Sequence, residues 1–136
     1  MARRAKTHTP GEALRYLANA RELLSKIPVD GDFYADTKPV REAFGTAYLA
    51  VLEAINEVLI KKGLTVKELP NSVDGYRAAL QKYVSVHNGK LLKDFERLYE
   101  ALHIAGYYRG FIIDTNAVKD YFKTTERFIK KLTPQE

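Results

Sequence analysis

The stretch that decides the fold is residues 90–110, KLLKDFERLYEALHIAGYYRG. Apolar side chains recur along it every three or four residues, which predicts one buried seam on a helix. These seam residues are Leu91, Phe95, Leu98, Leu102 and Ala105. Tyr99, His103 and Tyr107 are spaced four residues apart beside the seam, so we expect them to stack on one side of the helix. The stretch therefore predicts a bundle helix with an aromatic edge.

Two further helices are predicted before this stretch. The first follows a capping box of Thr9 and Glu12 and is stopped by Pro28. The second is the longest and most apolar; it starts near residues 36–37 and ends at residues 61–63, Lys-Lys-Gly. Its wide apolar stripe is typical of the central helix of a bundle.

The remaining segments also favour an all-α protein. A single turn is predicted at residues 65–69, a third helix at residues 73–87 and a last helix from Asp114 to Thr133. The connection PVDGDFYADTKP, residues 28–39, is rich in turn formers, and we expect Phe33 and Tyr34 to pin it to the bundle.

No stretch alternates with period two for long enough to predict a strand. We therefore expect one domain at residues 9–133, an antiparallel up-and-down bundle of about five helices. The basic segment at residues 1–8 is expected to be a disordered tail.

Composition excludes several classes of protein. The 136 residues include no cysteine, which rules out a disulfide framework, a zinc finger and a thiol nucleophile, and fits a reducing cytosol. The net charge of +5 and the pI near 9.3 permit weak attraction to nucleic acid. The basic residues near the start are not followed by an apolar stretch, so we expect no signal peptide. The sequence has no apolar run of membrane-spanning length and no GxGxxG, Walker A or GxSxG motif. We expect a cytoplasmic protein without membrane contact.

Arg97 and His103 are the pair with the chemistry closest to catalysis. A histidine can move protons near neutral pH, and an arginine can hold a scissile phosphate. Six residues correspond to side chains about 120° apart on an α-helix, so a shared site needs a kink, for example at Gly106, or a second subunit. The alternative is a surface arginine and a histidine held between Tyr99 and Tyr107.

Three other patterns each have two interpretations. Glu100 and His103 form a single ExxH, whereas a di-metal bundle needs two, so we predict neither a metal nor a cofactor. A basic stripe on the last helix is suited to a phosphate backbone or is simply a solvated face. The stripe consists of Lys119, Lys123, Arg127 and Lys130. The cluster at residues 107–111, YYRGF, which includes Tyr107 and Arg109, either closes the end of the bundle or forms a surface for bases or a partner subunit.

With these patterns the chain resembles the HEPN-like all-α domains (higher eukaryotes and prokaryotes nucleotide-binding). The resemblance rests on three stretches: ALRYLANARELLSK, AFGTAYLAVLEAINEVLIKKG and ERLYEALHIAGYYRG. It implies a helical bundle that dimerises and, in active members, a metal-independent ribonuclease whose arginine and histidine meet across the dimer. Arg97 and His103 have the implied spacing. Leu98, however, follows the arginine where active members carry a polar residue, and Ala105 stands where partners of minimal nucleotidyltransferases carry tyrosine.

The function expected from the sequence is a non-catalytic HEPN-like interaction module, homodimeric, with an apolar surface around residues 107–113 buried against another chain. A nucleotidyltransferase is a further candidate partner implied by the resemblance. One alternative is the HEPN-type ribonuclease, with Arg97 and His103 catalytic and Tyr99, Glu100, Tyr107 and Arg109 beside them. The other is a module that binds RNA through the basic stripe without catalysis.

Overall fold

Five α-helices make up the bundle in the part of the chain that the computed structural model describes, residues 10–85 and 89–134. The all-α prediction is confirmed, while the proposed tail at residues 1–8 lies outside the described residues. The helices are α1 (Glu12–Ser25), α2 (Thr37–Lys61), α3 (Val73–Ala79), α4 (Lys90–Leu98) and α5 (Thr115–Leu132). A single 3₁₀ turn, Val66–Glu68, joins α2 to α3.

Two of these helices continue as π-helices. The segment Leu80–Val84 extends α3, and the segment Tyr99–Tyr108, called the π segment below, extends α4. The Arg109 N–H donates to the Ile104 carbonyl at 2.8 Å, one residue farther back than in an α-helix. The predicted helix over residues 90–110 is therefore present, but its second half is a π-helix and does not have the 3.6-residue period on which the angle between Arg97 and His103 was based.

The core is centred on α2, which packs against α1, α5 and the π segment. Phe44, Val51 and Ile55 of α2 are fully buried. The predicted seam of the organising stretch is confirmed at its centre, where Phe95, Leu98 and Leu102 are buried. By length and composition α2 could cross a membrane, but 61% of its most apolar window is buried inside the bundle, as in the core helix of a globular domain.

A small hairpin occupies the connection between α1 and α2, where no strand was predicted. Strands β1 (Val29–Asp30) and β2 (Phe33–Tyr34) pair antiparallel around Gly31, whose φ is 63°. Strands of two residues are too short to show a period of two in the sequence. Tyr34 is buried and pins the loop as expected, whereas Phe33 is 51% exposed.

Helix starts agree with the sequence at α2, α3 and α5, whereas the third helix ends at Val84, before the predicted end at residue 87, which lies outside the described residues. Asp36, Ser72 and Asp114 cap α2, α3 and α5 through side-chain oxygens that accept backbone N–H bonds. The predicted capping box at residues 65–68 is also present. The α1 helix instead begins after Gly11, whose N–H donates to Glu57 Oε1 of α2 at 3.1 Å. The expected cap, Thr9, lies outside the described residues.

Candidate functional site

Three aromatic rings stack along one side of the π segment. The centroid of the His103 ring lies 5.5 Å from that of Tyr99 and 5.9 Å from that of Tyr107, with interplanar angles of 22° and 18°. A π-helix has more residues per turn than an α-helix, so residues four apart come closer to alignment. The structure thus places His103 between two tyrosines; these three rings are called the ring column below.

The ring column packs against α2 through Tyr48. The Tyr48 centroid is 4.8 Å from that of His103 and 5.9 Å from that of Tyr99. Burial and, to a smaller extent, the nearby Tyr99 raise the pKa of Tyr48 to about 12. His103 remains partly exposed, and its ring nitrogens form no hydrogen bond with another described residue. The histidine is therefore held by ring contacts rather than by a carboxylate that would orient it as a base.

An ion-pair network fixes the Tyr99 end of the column. The Arg77 guanidinium donates to both oxygens of Glu96, at 2.6 and 3.0 Å, and to Asp74 at 2.8 Å. The same group lies over the Tyr99 ring, 5.2 Å from its centroid. The role of Arg77 was not predicted, because its only local signal in the sequence is the spacing of three residues from Asp74.

Two glycines and an arginine hold the other end of the column against α2. A Cβ atom on Gly106 would lie 2.4 Å from the Phe44 ring, and one on Gly45 would lie 2.9 Å from the Tyr107 ring. Arg41 donates to the carbonyl of Tyr107 at 2.8 Å and to that of Tyr108 at 2.5 Å. Because these carbonyls are at the end of a helix, the guanidinium acts as a C-terminal cap.

Four large aromatic side chains are exposed beside this end. Tyr107, Tyr108 and Phe111 are 45%, 65% and 71% exposed, and Phe33 of the hairpin is 51% exposed. The hairpin joins the helix end because Tyr34 N–H donates to the Ile113 carbonyl at 3.0 Å, and Phe33 pairs with Asp114. The Arg109 guanidinium covers the Phe111 ring at 5.8 Å. These four residues are called the aromatic surface below.

Arg97 lies away from the ring column. It lines a cleft between α4 and α5 of about 300 Å³, whereas the His103 ring packs on α2. Arg97 and His103 are therefore not in contact within one chain. This agrees with the six-residue spacing, from which we expected the two side chains to point in different directions. The cleft is lined by four cations and one carboxylate, from Lys90, Asp94, Arg97, Arg127 and Lys131. It is called the basic cleft below.

The four residues of the predicted basic stripe are all exposed on α5, but they differ in their contacts. Arg127 lines the basic cleft, and Lys119 and Lys123 are exposed. Lys130 instead pairs with Glu126 at 2.7 Å, and Arg21 of α1 pairs with the same carboxylate at 2.6 Å. Hydrogen bonds from these two cations lower the pKa of Glu126.

Glu100 is exposed, and no group of three histidine, aspartate or glutamate side chains is placed to hold a metal ion within residues 10–85 and 89–134. The ExxH pattern therefore has no partner ligands in this part of the chain. A metal of this kind needs carboxylates from several helices.

Comparison with known proteins gives a family for this bundle. Residues 8–134 match a family described as a domain of unknown function, DUF5618. The structure is similar to that of a protein of unknown function from Dyadobacter fermentans, with 32% sequence identity, a TM-score of 0.71 and 90% of each chain covered. No curated protein matches the sequence. Because the family match spans nearly all of the helical bundle, the chain belongs to the DUF5618 family.

Proposed function

We propose that this chain is a non-catalytic helical-bundle interaction module that pairs with a second copy of itself through the aromatic surface. The observation that carries the proposal is the exposure of four aromatic side chains at the end of the π segment and on the hairpin bonded to it, namely Phe33, Tyr107, Tyr108 and Phe111. Exposed apolar surface concentrated in one region of a soluble protein often marks an interaction site. Tyrosine and phenylalanine are also enriched at the buried centres of interfaces.

The backbone beneath the aromatic surface is held in place before any partner binds. Gly110 adopts a φ of 66°, which closes the helix, and the Phe111 N–H donates to the Ala105 carbonyl at 2.9 Å. The Thr115 N–H donates to the Asp32 carbonyl at 2.9 Å and ties the hairpin to the start of α5. A preformed surface loses little conformational entropy on association, which supports tight pairing.

The charges around the aromatic surface suit a two-fold symmetric dimer. Asp30 and Asp32 are exposed on the hairpin, while Arg109 is exposed at the end of the π segment. In a two-fold interface each residue of one copy faces the corresponding region of the other, so the acidic side of one copy is able to meet the basic side of its partner. Such charge complementarity favours the correct pairing over others.

The resemblance to HEPN-like domains supports the same proposal, because dimerisation is a property of that family. A cytoplasmic location is part of the proposal and rests on the absence of cysteine. A nucleotidyltransferase remains a candidate partner on the resemblance alone. The second copy is the occupant that the charge arrangement favours.

Analytical ultracentrifugation tests the proposal. We expect the wild-type protein to sediment as a dimer and the double variant Tyr108→Ser/Phe111→Ser to sediment as a folded monomer, with the helical circular dichroism of the wild type. The matched control is Tyr121→Ser, which removes an aromatic side chain that is 36% exposed on α5 but outside the aromatic surface. A wild-type protein that stays monomeric at every concentration contradicts the proposal.

The HEPN-type ribonuclease is the second candidate. Arg97 is exposed and His103 is partly exposed, so both are accessible to groups of another copy. Cleavage of mixed RNA in the presence of EDTA, lost in both His103→Ala and Arg97→Ala, would replace the non-catalytic proposal with this one. RNA binding without cleavage, weakened by salt and by loss of Lys119 and Lys123, would favour a nucleic-acid-binding module.

A further inference from the structure

The basic cleft has more positive charge than its own carboxylate balances. Two lysines form ion pairs with the same oxygen of Asp94. The distance from Lys90 Nζ to Asp94 Oδ2 is 3.7 Å, and the distance from Lys131 Nζ to Asp94 Oδ2 is 3.9 Å. Asp94 is thus shared by two lysines. With four cations and one carboxylate on its walls, the cleft has a local net charge of +3.

The two arginines of the cleft are the least compensated of these groups. Arg97 and Arg127 are both exposed, and neither forms an ion pair or hydrogen bond with any residue in the described ranges 10–85 and 89–134. They come from different helices, α4 and α5, which face each other across the cleft. Like charges in one cleft repel, and an anion that accepts hydrogen bonds from both guanidinium groups relieves that repulsion.

The floor of the cleft is apolar and well packed. Leu98 and Phe128 are 2% and 4% exposed, so their side chains form a fixed base below the cations. The volume of about 300 Å³ is at the lower end of the range for small-molecule pockets, which starts at roughly 300 Å³. The site therefore has room for a small ligand with an anionic group and a compact apolar or planar part.

We propose that the basic cleft binds a small phosphate monoester, with the phosphate between Arg97 and Arg127. A phosphate monoester has a charge of about −1.5 to −2 at pH 7 and three acceptor oxygens, which matches two guanidinium groups and a nearby lysine. A phosphodiester has one charge per phosphate and so satisfies the cleft less well. This site goes beyond the proposed dimer, since its helices α4 and α5 contribute none of the aromatic surface.

The arrangement of charge on α5 also favours a small ligand over a long RNA strand. A strand needs a continuous row of free cations. Here Lys130 is paired with Glu126 at 2.7 Å, and Lys119 and Lys123 do not line the cleft. The cleft is therefore where cations of α4 and α5 come together, whereas Lys119 and Lys123 of α5 lie outside it.

Isothermal titration with AMP and with inorganic phosphate tests the proposal on the full chain. We expect AMP to bind and adenosine not to bind. Since hydrogen bonds to charged groups contribute about 1.5 to 3 kcal/mol, Arg97→Gln and Arg127→Gln should each weaken AMP binding by about tenfold or more. The control Lys123→Gln removes an exposed cation of α5 outside the cleft and should leave the affinity unchanged.

The arms of the titration separate the possible sources of the phosphate. If AMP binds more tightly than inorganic phosphate, the apolar floor contributes to binding the rest of the ligand. If the two bind equally, the phosphate accounts for the whole affinity. Absence of binding by both probes overturns the proposal. So does a single-stranded RNA with a 5′-hydroxyl that binds as tightly as AMP and with the same dependence on Arg97. The dimer variant Tyr108→Ser/Phe111→Ser should bind AMP like the wild type, so failure of either proposal leaves the other testable.

Discussion

At the scale of single residues, close contact between helices depends on Gly106. Its position leaves no room for a side chain, since a Cβ atom would lie 2.4 Å from the Phe44 ring, which is itself fully buried. We expect Gly106→Ala to lower the free energy of unfolding by about 1 to 3 kcal/mol, because overpacking forces buried groups to move. Urea unfolding followed by circular dichroism measures the change.

Gly45→Ala is the matched control for that substitution. A Cβ atom there would meet the Tyr107 ring at 2.9 Å, but Tyr107 is 45% exposed and is able to turn away. Replacing glycine by alanine inside a helix also contributes about 1 kcal/mol of stability, which offsets the cost. We therefore expect Gly45→Ala to be near wild type in stability. Equal stability losses in the two variants would contradict this account of Gly106.

Tyr48 makes the free energy of unfolding depend on pH in the alkaline range. Its pKa is raised from 10.0 to about 12 in the folded chain, so between these values the unfolded chain loses a proton that the folded chain keeps. The contribution to stability is fully present below pH 10 and is lost as the pH rises through 12. The loss is on the order of 2 kcal/mol. We expect Tyr48→Phe to unfold with a shallower pH dependence over this window, as measured by urea denaturation, and the same slope in both proteins would contradict it.

At the scale of elements, the sequence predicted what periodicity alone determines. The buried seam through Phe95, Leu98 and Leu102 and the stacking of Tyr99 with His103 were both predicted correctly. The π segment was not predicted, because apolar residues spaced by three and four fit an α-helix and a wider helix equally well. The hairpin was not predicted for a different reason: each of its strands has only two residues, which is too short to show a repeating pattern.

Contacts between distant elements could not be predicted from local spacing in the sequence. The bond from Arg77 to Glu96 joins residues 19 apart on different helices, and no local spacing marks that pair. The two candidate catalytic residues face different helices: Arg97 lies near α5, and His103 packs on α2. This difference results from how the helices pack around α2. The six-residue spacing predicted that they diverge, but only packing determines which neighbours each one meets.

At the scale of the whole molecule, the two proposed surfaces should influence stability in distinguishable ways. A dimer stabilises the folded state by mass action, so the melting temperature of the wild type should rise with protein concentration, while that of Tyr108→Ser/Phe111→Ser should not. A ligand of the basic cleft stabilises both proteins, because Arg97 and Arg127 do not belong to the aromatic surface. We therefore expect AMP to raise the melting temperature of the dimer variant as much as that of the wild type, and to raise that of Arg97→Gln by clearly less, because a ligand that binds about tenfold more weakly stabilises the folded state less. Scanning calorimetry at several protein and AMP concentrations measures both effects. A concentration-independent melting temperature in the wild type would contradict the dimer, and an equal AMP response in Arg97→Gln would contradict the cleft.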